Sequence, residues 1–172
     1  MATPTSPGFN SVLPAILFEI DDSIADLIQS DETVSPETGD VLFYGRSLAF
    51  DWSTLRFRIG PQGDPAIVTG HRALIESIVK ALMTPRYVVP IYGNDYGAEF
   101  HEIQGEPVPI ALAQVERIVR ETVLDDPRAV ALEDFQASHL GNGALHVTFR
   151  VRTFDDELLS VPPFTVRVSA DV

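Results

Sequence analysis

Apolar and polar side chains alternate strictly in the C-terminal third of the chain. Four apolar residues, Leu145, Val147, Phe149 and Val151, are interleaved with His146, Thr148, Arg150 and Arg152. Successive side chains of a strand point to opposite faces, so this pattern predicts a β-strand with one buried face. The sequence Gly141-Asn142-Gly143 is typical of a hairpin turn and predicts pairing with residues 130–137. The same alternation in Phe164, Val166 and Val168 predicts a third strand.

Two segments have the periodicity of amphipathic helices. The first is predicted from an N-cap at Thr69 to about Met83, with an apolar stripe of Leu74, Ile75, Ile78, Val79 and Leu82. The second opens near Pro109 and is predicted to bury Leu112, Val115, Ile118, Val119 and Val123. It ends at Asp125-Asp126-Pro127-Arg128.

The N-terminal third gives weaker signals. Residues 14–20 form an apolar run that predicts a strand, and a hairpin is predicted across Asp51-Trp52-Ser53-Thr54, with Leu55, Phe57 and Ile59 on one face. Residues 21–40 have no clear pattern. We therefore expect an α+β fold, a mostly antiparallel sheet with two main helices packed on one face. Residues 1–44 are expected to be an acidic N-terminal arm and residues 45–172 the domain.

Charge and composition exclude several classes of function. The net charge is −13, and residues 1–45 hold eight acids without any Lys or Arg. Such a chain is a poor candidate for binding nucleic acid or an anionic membrane through bulk charge. The absence of cysteine excludes disulfides, thiolate metal sites and cysteine catalysis. With no signal peptide or membrane helix recognisable in the sequence, we expect synthesis and folding in a cytoplasm.

Two clusters are candidates for protein contact. The stretch Met83–Gly97 between the helices concentrates Pro, Gly, Tyr and Arg, and its candidate interface residues are Arg86, Tyr87, Tyr92, Asp95 and Tyr96. Tyr and Arg combine broad contact area with polar tips, as interface anchors do. The second cluster is Asp126-Pro127-Arg128. For this cluster, composition alone favours a helix stop with a local salt bridge.

No complete catalytic or cofactor-binding set is recognisable. Asp95, Glu99, Glu102 and Glu106 form a local group of acids, but a chain with 25 acids contains such groups by chance. The four histidines are scattered, and neither a serine-nucleophile elbow nor a phosphate-binding loop is present. We therefore predict no cofactor and no metal. The alternative to a protein without catalytic activity is a muramidase-like hydrolase that uses Asp95, Glu99 or Glu102 as acid and base.

Four motifs in order resemble one family. They are Gly45-Arg46-Ser47-Leu48-Ala49-Phe50-Asp51, Thr69-Gly70 with the first helix and Leu82 to Tyr87, Tyr92-Gly93-Asn94-Asp95-Tyr96-Gly97, and Asp126-Pro127-Arg128. The family is the small baseplate wedge subunit of contractile phage tails. Its relatives include sheath initiators of type VI secretion and extracellular injection systems, and tail proteins of defective prophages. The resemblance covers residues 45–169. It departs at Asp126, where much of the family has Glu, and does not extend to the first 40 residues.

The resemblance implies a non-enzymatic protein of the baseplate in a phage tail or injection particle, assembled in the bacterial cytoplasm. Its expected partners are other wedge proteins, the tail sheath protein and a central hub, spike or tube, with six copies in a ring. The sheath would be nucleated by strand addition, which makes Phe164, Val166 and Val168 a candidate exchanged or edge strand. Asp126, Pro127 and Arg128 become interface candidates with the Met83–Gly97 group. A tail protein of a non-contractile particle is a further alternative.

Overall fold

A computed structural model describes residues 16–18, 44–52, 54 and 56–168. Nine strands and two helices are assigned in this part of the chain. The strands are β1 (Ile16–Phe18), β2 (Arg46–Leu48), β3 (Phe50–Asp51), β4 (Arg56–Phe57), β5 (Ile67–Thr69), β6 (Ala129–Gly141), β7 (Ala144–Thr153), β8 (Leu158–Ser160) and β9 (Phe164–Arg167). The helices are α1 (Gly70–Met83) and α2 (Val108–Leu124), and a short 3₁₀ helix spans Phe100–Ile103.

The main sheet is antiparallel and is built on the β6–β7 hairpin. Its strand order is β1-β9-β7-β6, and β8 pairs with β7 beyond the end of β9. Asn142 and Gly143 in the hairpin turn both have positive φ, 50° and 64°, as a type I′ turn requires. The alternation of residues 145–152 therefore predicted the strand correctly, and the turn residues predicted its partner.

The core lies between one face of this sheet and both helices. Leu145, Val147 and Val151 are fully buried and Phe149 is 3% exposed. The predicted stripe of α1 is buried throughout, and α2 buries its predicted residues except Leu112, which is partly buried. The expected α+β fold with two helices on an antiparallel sheet is confirmed.

The segment before α1 forms a second, small antiparallel unit. The predicted hairpin is present as β3 and β4, with Phe50 opposite Phe57. The pairing of β2 with β5 was not predicted, because strands of three residues each are too short to show a measurable alternation. Backbone hydrogen bonds of Ala49 to Ala66 and Arg58, 2.8 and 2.9 Å, join the two strand pairs.

The last strand differs from its predicted position in the sheet. The resemblance made β9 a candidate exchanged or edge strand, but in the sheet it lies between β7 and β1 and is not at the edge. Phe164, Val166 and Val168 are at most 1% exposed, since they belong to the core. The outer place is taken by β1, which falls within the predicted strand 14–20 and within the predicted N-terminal arm. Residues 21–40 lie outside the described part of the chain. Within the described residues, neither helix is long and apolar enough to span a bilayer.

Candidate functional site

The segment between the helices is a loop closed at its neck. The Ala98 N–H donates to the Thr84 carbonyl at 2.9 Å, and the Arg86 N–H donates to the Ala98 carbonyl at 3.1 Å. These bonds hold the first and last residues of the stretch side by side. We call residues 84–98 the neck-closed loop. Because its ends are tied, the intervening residues are presented as one compact element rather than as an open chain.

Arg86 supports this loop from the inside. Its Nε donates to the Gly97 carbonyl at 2.9 Å, and its guanidinium lies 3.5 Å from Glu99. The side chain is only 13% exposed. Arg86 was predicted as a contact residue, but its side chain turns inward and positions the loop.

Gly97 is required by the same neck. Its φ is +107°, and a Cβ added there would lie 2.6 Å from the Thr84 carbonyl oxygen. The Gly97 carbonyl also accepts a hydrogen bond from the Thr122 hydroxyl of α2 at 3.3 Å. Any larger residue must therefore push the two sides of the neck apart.

The tip of the loop is apolar and exposed. Tyr87 is 67% exposed, Val88 48% and Ile91 85%. Tyr87 also has a left-handed φ of 66°, a conformation that bulky residues rarely adopt and that tends to occur at functional positions. Asp95 is exposed on the same loop. Large side chains held this far from the core are suited to contact another molecule.

Two further tyrosines pack under the tip. The rings of Tyr92 and Tyr96 are 4.4 Å apart, and the Lys80 ammonium lies 5.4 Å from the Tyr92 ring. Both rings are half-buried, and burial raises the pKa of Tyr96 to about 12. The Tyr96 phenol is therefore a neutral hydrogen-bonding group at physiological pH.

The acid-Pro-Arg motif forms an ion pair at the end of α2. The Arg128 guanidinium donates to both oxygens of Asp126, at 2.8 and 2.6 Å. Burial opposes ionisation of Asp126, but the hydrogen bonds from Arg128 outweigh it and hold the pKa of this carboxyl below its usual range. The bond to Asp126 in turn raises the pKa of Arg128. Pro127, between them, is exposed.

Arg128 has a second partner that the sequence did not reveal. It donates to the backbone carbonyl of Tyr44 at 2.5 Å. The Tyr44 hydroxyl donates to Asp155. The Tyr44 ring packs edge-on against His71 at 4.5 Å and, at a tilt, against Phe154 at 5.0 Å. No local pattern around Tyr44 marks it, because all of these contacts are distant in sequence.

The two sequence clusters meet at one cavity of about 490 Å³. Tyr96 and Gly97 line it from the neck-closed loop, and Asp126, Pro127 and Arg128 line it from the end of α2. Tyr92 lies at an adjoining cavity of about 220 Å³, which shares Tyr96 and Arg128 with the first. Arg86, Tyr87 and Asp95 do not line either cavity. We call the cavities and the loop tip together the docking region.

The acids of the proposed hydrolase are placed differently from a catalytic pair. Glu99 lies 3.5 Å from Arg86 and 3.9 Å from Arg117, and Glu102 lies 3.3 Å from Arg117. Both carboxylates are therefore engaged in ion pairs with arginine. Among the described residues, no group of three or more His, Asp or Glu is arranged to hold a metal ion.

Comparison with known proteins gives a consistent result. A family model described as the contractile injection system sheath initiator matches residues 46–156, well over half of the chain. The phage-like element PBSX protein XkdS of Bacillus subtilis is 28% identical over 95 residues, which cover 54% of this chain and 67% of that protein.

A solved structure shares the fold. A protein of Geobacter sulfurreducens described as a tail lysozyme superimposes with a TM-score of 0.51 at 21% identity. The match covers 60% of this chain and 96% of that one. The chain belongs to the sheath initiator family of contractile injection systems, a family of structural tail components.

The neck of the loop gives a first prediction. Gly97→Ala should lower the free energy of unfolding by about 2–4 kcal/mol, because the left-handed backbone and the contact with Thr84 both become strained. Gly93→Ala is the matched control, since nothing lies within 4 Å of a Cβ added there, and it should change stability by less than about 0.5 kcal/mol. Urea unfolding measures both. Equal stabilities for the two variants would contradict the proposed role of Gly97.

The ion pair gives a second prediction, on pH dependence. Because the folded pKa of Asp126 is depressed, its stabilisation is present above the unfolded value of about 3.9 and is lost as pH falls through the folded pKa. At pH 7, Asp126→Asn should cost about 1–3 kcal/mol. This difference from the native chain should shrink below pH ~4. Asp95→Asn, at an exposed acid, is the control. A constant difference for Asp126→Asn between pH 7 and 3 in urea titrations would disprove the assignment.

Proposed function

We propose that this chain is a structural subunit of the baseplate of a contractile tail or injection particle. In this role it docks onto other wedge proteins, contacts the sheath and nucleates the first sheath ring by strand addition. A hub, spike or tube at the centre is a further partner, and six copies form a ring. Family membership supports the tail role. The observation that carries the docking part is the convergence of the neck-closed loop and the acid-Pro-Arg motif at one cavity.

The docking region divides the work between buried and exposed residues. Arg86, Asp126 and Arg128 are held by internal hydrogen bonds, so their main role is to fix the shape of the region. The exposed side chains of Tyr87 and Ile91 are the ones available to a wedge partner. A preformed apolar tip lowers the entropy lost on binding, because the neck already restricts the loop.

The internal hydrogen bonds of Arg128 make its substitution a poor test of docking. Loss of its side chain removes three hydrogen bonds, to Asp126 and to the Tyr44 carbonyl. A failure of Arg128→Ala to assemble would therefore report on folding as well as on docking. Exposed positions of the loop tip separate the two effects better.

Strand addition is supported by the position of β1 at the outer edge of the main sheet. Among the residues that the structure describes, β1 is joined to β9 through three residue pairs, Ile16 with Val166 to Phe18 with Phe164. An outer strand can be replaced by a strand of a sheath subunit, which would pair with β9 through its backbone. Phe164, Val166 and Val168 would then stay in the core and fix the register.

A disulfide lock tests strand replacement. Leu17→Cys with Thr165→Cys joins β1 to β9 at residues paired in register. Cross-strand Cα distances of about 4.5–5.5 Å suit a disulfide, and the chain has no other cysteine. With purified sheath protein, we expect the oxidised variant to lose sheath nucleation and the reduced variant to retain it.

A second lock provides the control for this experiment. Ser138→Cys with His146→Cys joins β6 to β7, which do not need to separate. Its oxidation should leave nucleation unchanged. Nucleation by the oxidised β1–β9 lock at the native level would show that β1 does not need to leave, and strand replacement would be wrong.

The loop tip gives the corresponding test of docking. Tyr87→Asn with Ile91→Ser removes two exposed apolar contacts, and Asn tolerates the left-handed φ at position 87. We expect the monomer to remain folded and wedge binding to weaken by about tenfold or more, as for interface anchors. Ile110→Ser, at a residue 44% exposed on α2, is the control. Binding is measured by co-sedimentation, and complete particles are counted by electron microscopy. Normal particle numbers would remove the tip from the interface.

A further inference from the structure

The small sheet before α1 has an exposed apolar face. Leu48 and Ile67 are paired across β2 and β5, and they are 45% and 60% exposed. Phe57, 53% exposed, pairs with Phe50, which lies two residues after Leu48 and so on the same face. Ile59, two residues after Phe57, is 62% exposed. These four exposed residues, Leu48, Phe57, Ile59 and Ile67, form what we call the apolar sheet face.

A groove of about 400 Å³ runs beside this face, between the small sheet and α1. Phe50, Trp52 and Phe57 line it, with ring centroids 4.5 Å apart for Phe50 and Trp52. The indole N–H of Trp52 donates to the buried Glu76 carboxylate at 2.7 Å, which fixes the ring in place. A rigid aromatic groove next to a row of exposed aliphatic side chains is typical of a surface that binds another segment or protein.

The rim of the groove and face is basic. Arg46 lies on the same strand face as Leu48, and Lys80 lines the groove. Arg58 lies on the opposite strand face from Phe57 and Ile59, and its charge acts on the Glu76 carboxylate, which lines the groove. All three are exposed. The ion pairs between described residues engage other arginines, and none engages these three cations. In a chain of net charge −13, a cluster of exposed cations outside the ion pairs favours an acidic occupant.

The chain itself supplies a segment of this chemistry. Residues 19–43 hold eight acids and no Lys or Arg, together with the apolar residues Ile24, Leu27, Ile28, Val41, Leu42 and Phe43. They lie outside the described residues, but both neighbours are placed: Phe18 ends β1, and Tyr44 precedes β2 by two residues. The segment therefore leads directly into the strand that carries Arg46 and Leu48. Its 25 residues can extend over roughly 80 Å, more than the docking needs.

We propose that residues 19–43 of the same chain dock on the apolar sheet face and its aromatic groove, with their acidic side chains against Arg46, Arg58 and Lys80. Apolar contact supplies the affinity and the charges supply the orientation. The docked segment would cover the four exposed apolar residues in the free subunit. The interaction adjoins the docking region, because Arg46 lines both of its cavities and Lys80 lines the smaller one.

Trp52, the single tryptophan of the chain, reports directly on this groove. We would measure acrylamide quenching of its fluorescence in the full chain and in a variant with all eight acids of residues 19–43 changed to Asn or Gln. The native chain should be protected at low salt, and its quenching constant should rise roughly twofold at about 1 M NaCl, where charges are screened beyond about 3 Å. The eight-amide variant should be quenched strongly at every salt concentration. Circular dichroism checks that both chains are folded.

The control neutralises acids elsewhere. Asp95→Asn and Asp125→Asn change two exposed acids and should leave Trp52 quenching at the native level. Equal quenching of the native and eight-amide chains would overturn the proposal and leave the face to another protein. Protection that increases with protein concentration would also overturn it, since the segment would then come from a second copy.

Discussion

The link from Arg128 to Tyr44 is the contact on which the candidate site depends. Arg128 follows α2, whereas Tyr44 precedes β2, so a single guanidinium joins two elements 84 residues apart. Asp126 holds the guanidinium in place by accepting two further hydrogen bonds from it. The Tyr44 side chain continues the connection to Asp155 and His71. Without this chain of contacts the cavity would lose two of its walls, since Tyr44 and Arg128 both line it.

A partly buried ion pair of this kind contributes more to specificity of shape than to stability. Two charges must be removed from water, and the gain on pairing only offsets that cost when the geometry is good. Here the geometry is bidentate, and the neighbouring Ser77 hydroxyl approaches Asp126 at 3.5 Å. This explains why a polar motif can serve assembly without presenting free charges. It fixes the wall of the cavity that Asp126 and Arg128 line.

The sequence predicted the elements better than the direction of individual side chains. Periodicity located β7, α1 and α2 because each is long enough to show its repeat and buries one face. The resemblance to the family, rather than periodicity, grouped Tyr96 with Arg128, and both residues line one cavity. Periodicity could not show that Arg86 turns inward to Gly97 or that β1 covers β9, because both depend on partners distant in the chain. Tyr44 was missed for the same reason.

The proposed strand replacement and the proposed docking of residues 19–43 act on the same stretch of chain. Residues 19–43 connect β1 to Tyr44, so their N-terminal end is held by three residue pairs with β9. Their C-terminal end is held by the Arg128 hydrogen bond and the ring contacts of Tyr44. If a sheath strand takes the place of β1, only the first anchor is lost. The acidic segment then remains tethered beside the apolar sheet face, where its effective concentration stays high. Strand exchange at β9 would therefore leave the apolar sheet face covered. The open edge of β9 and the apolar sheet face would not both be exposed at the same time.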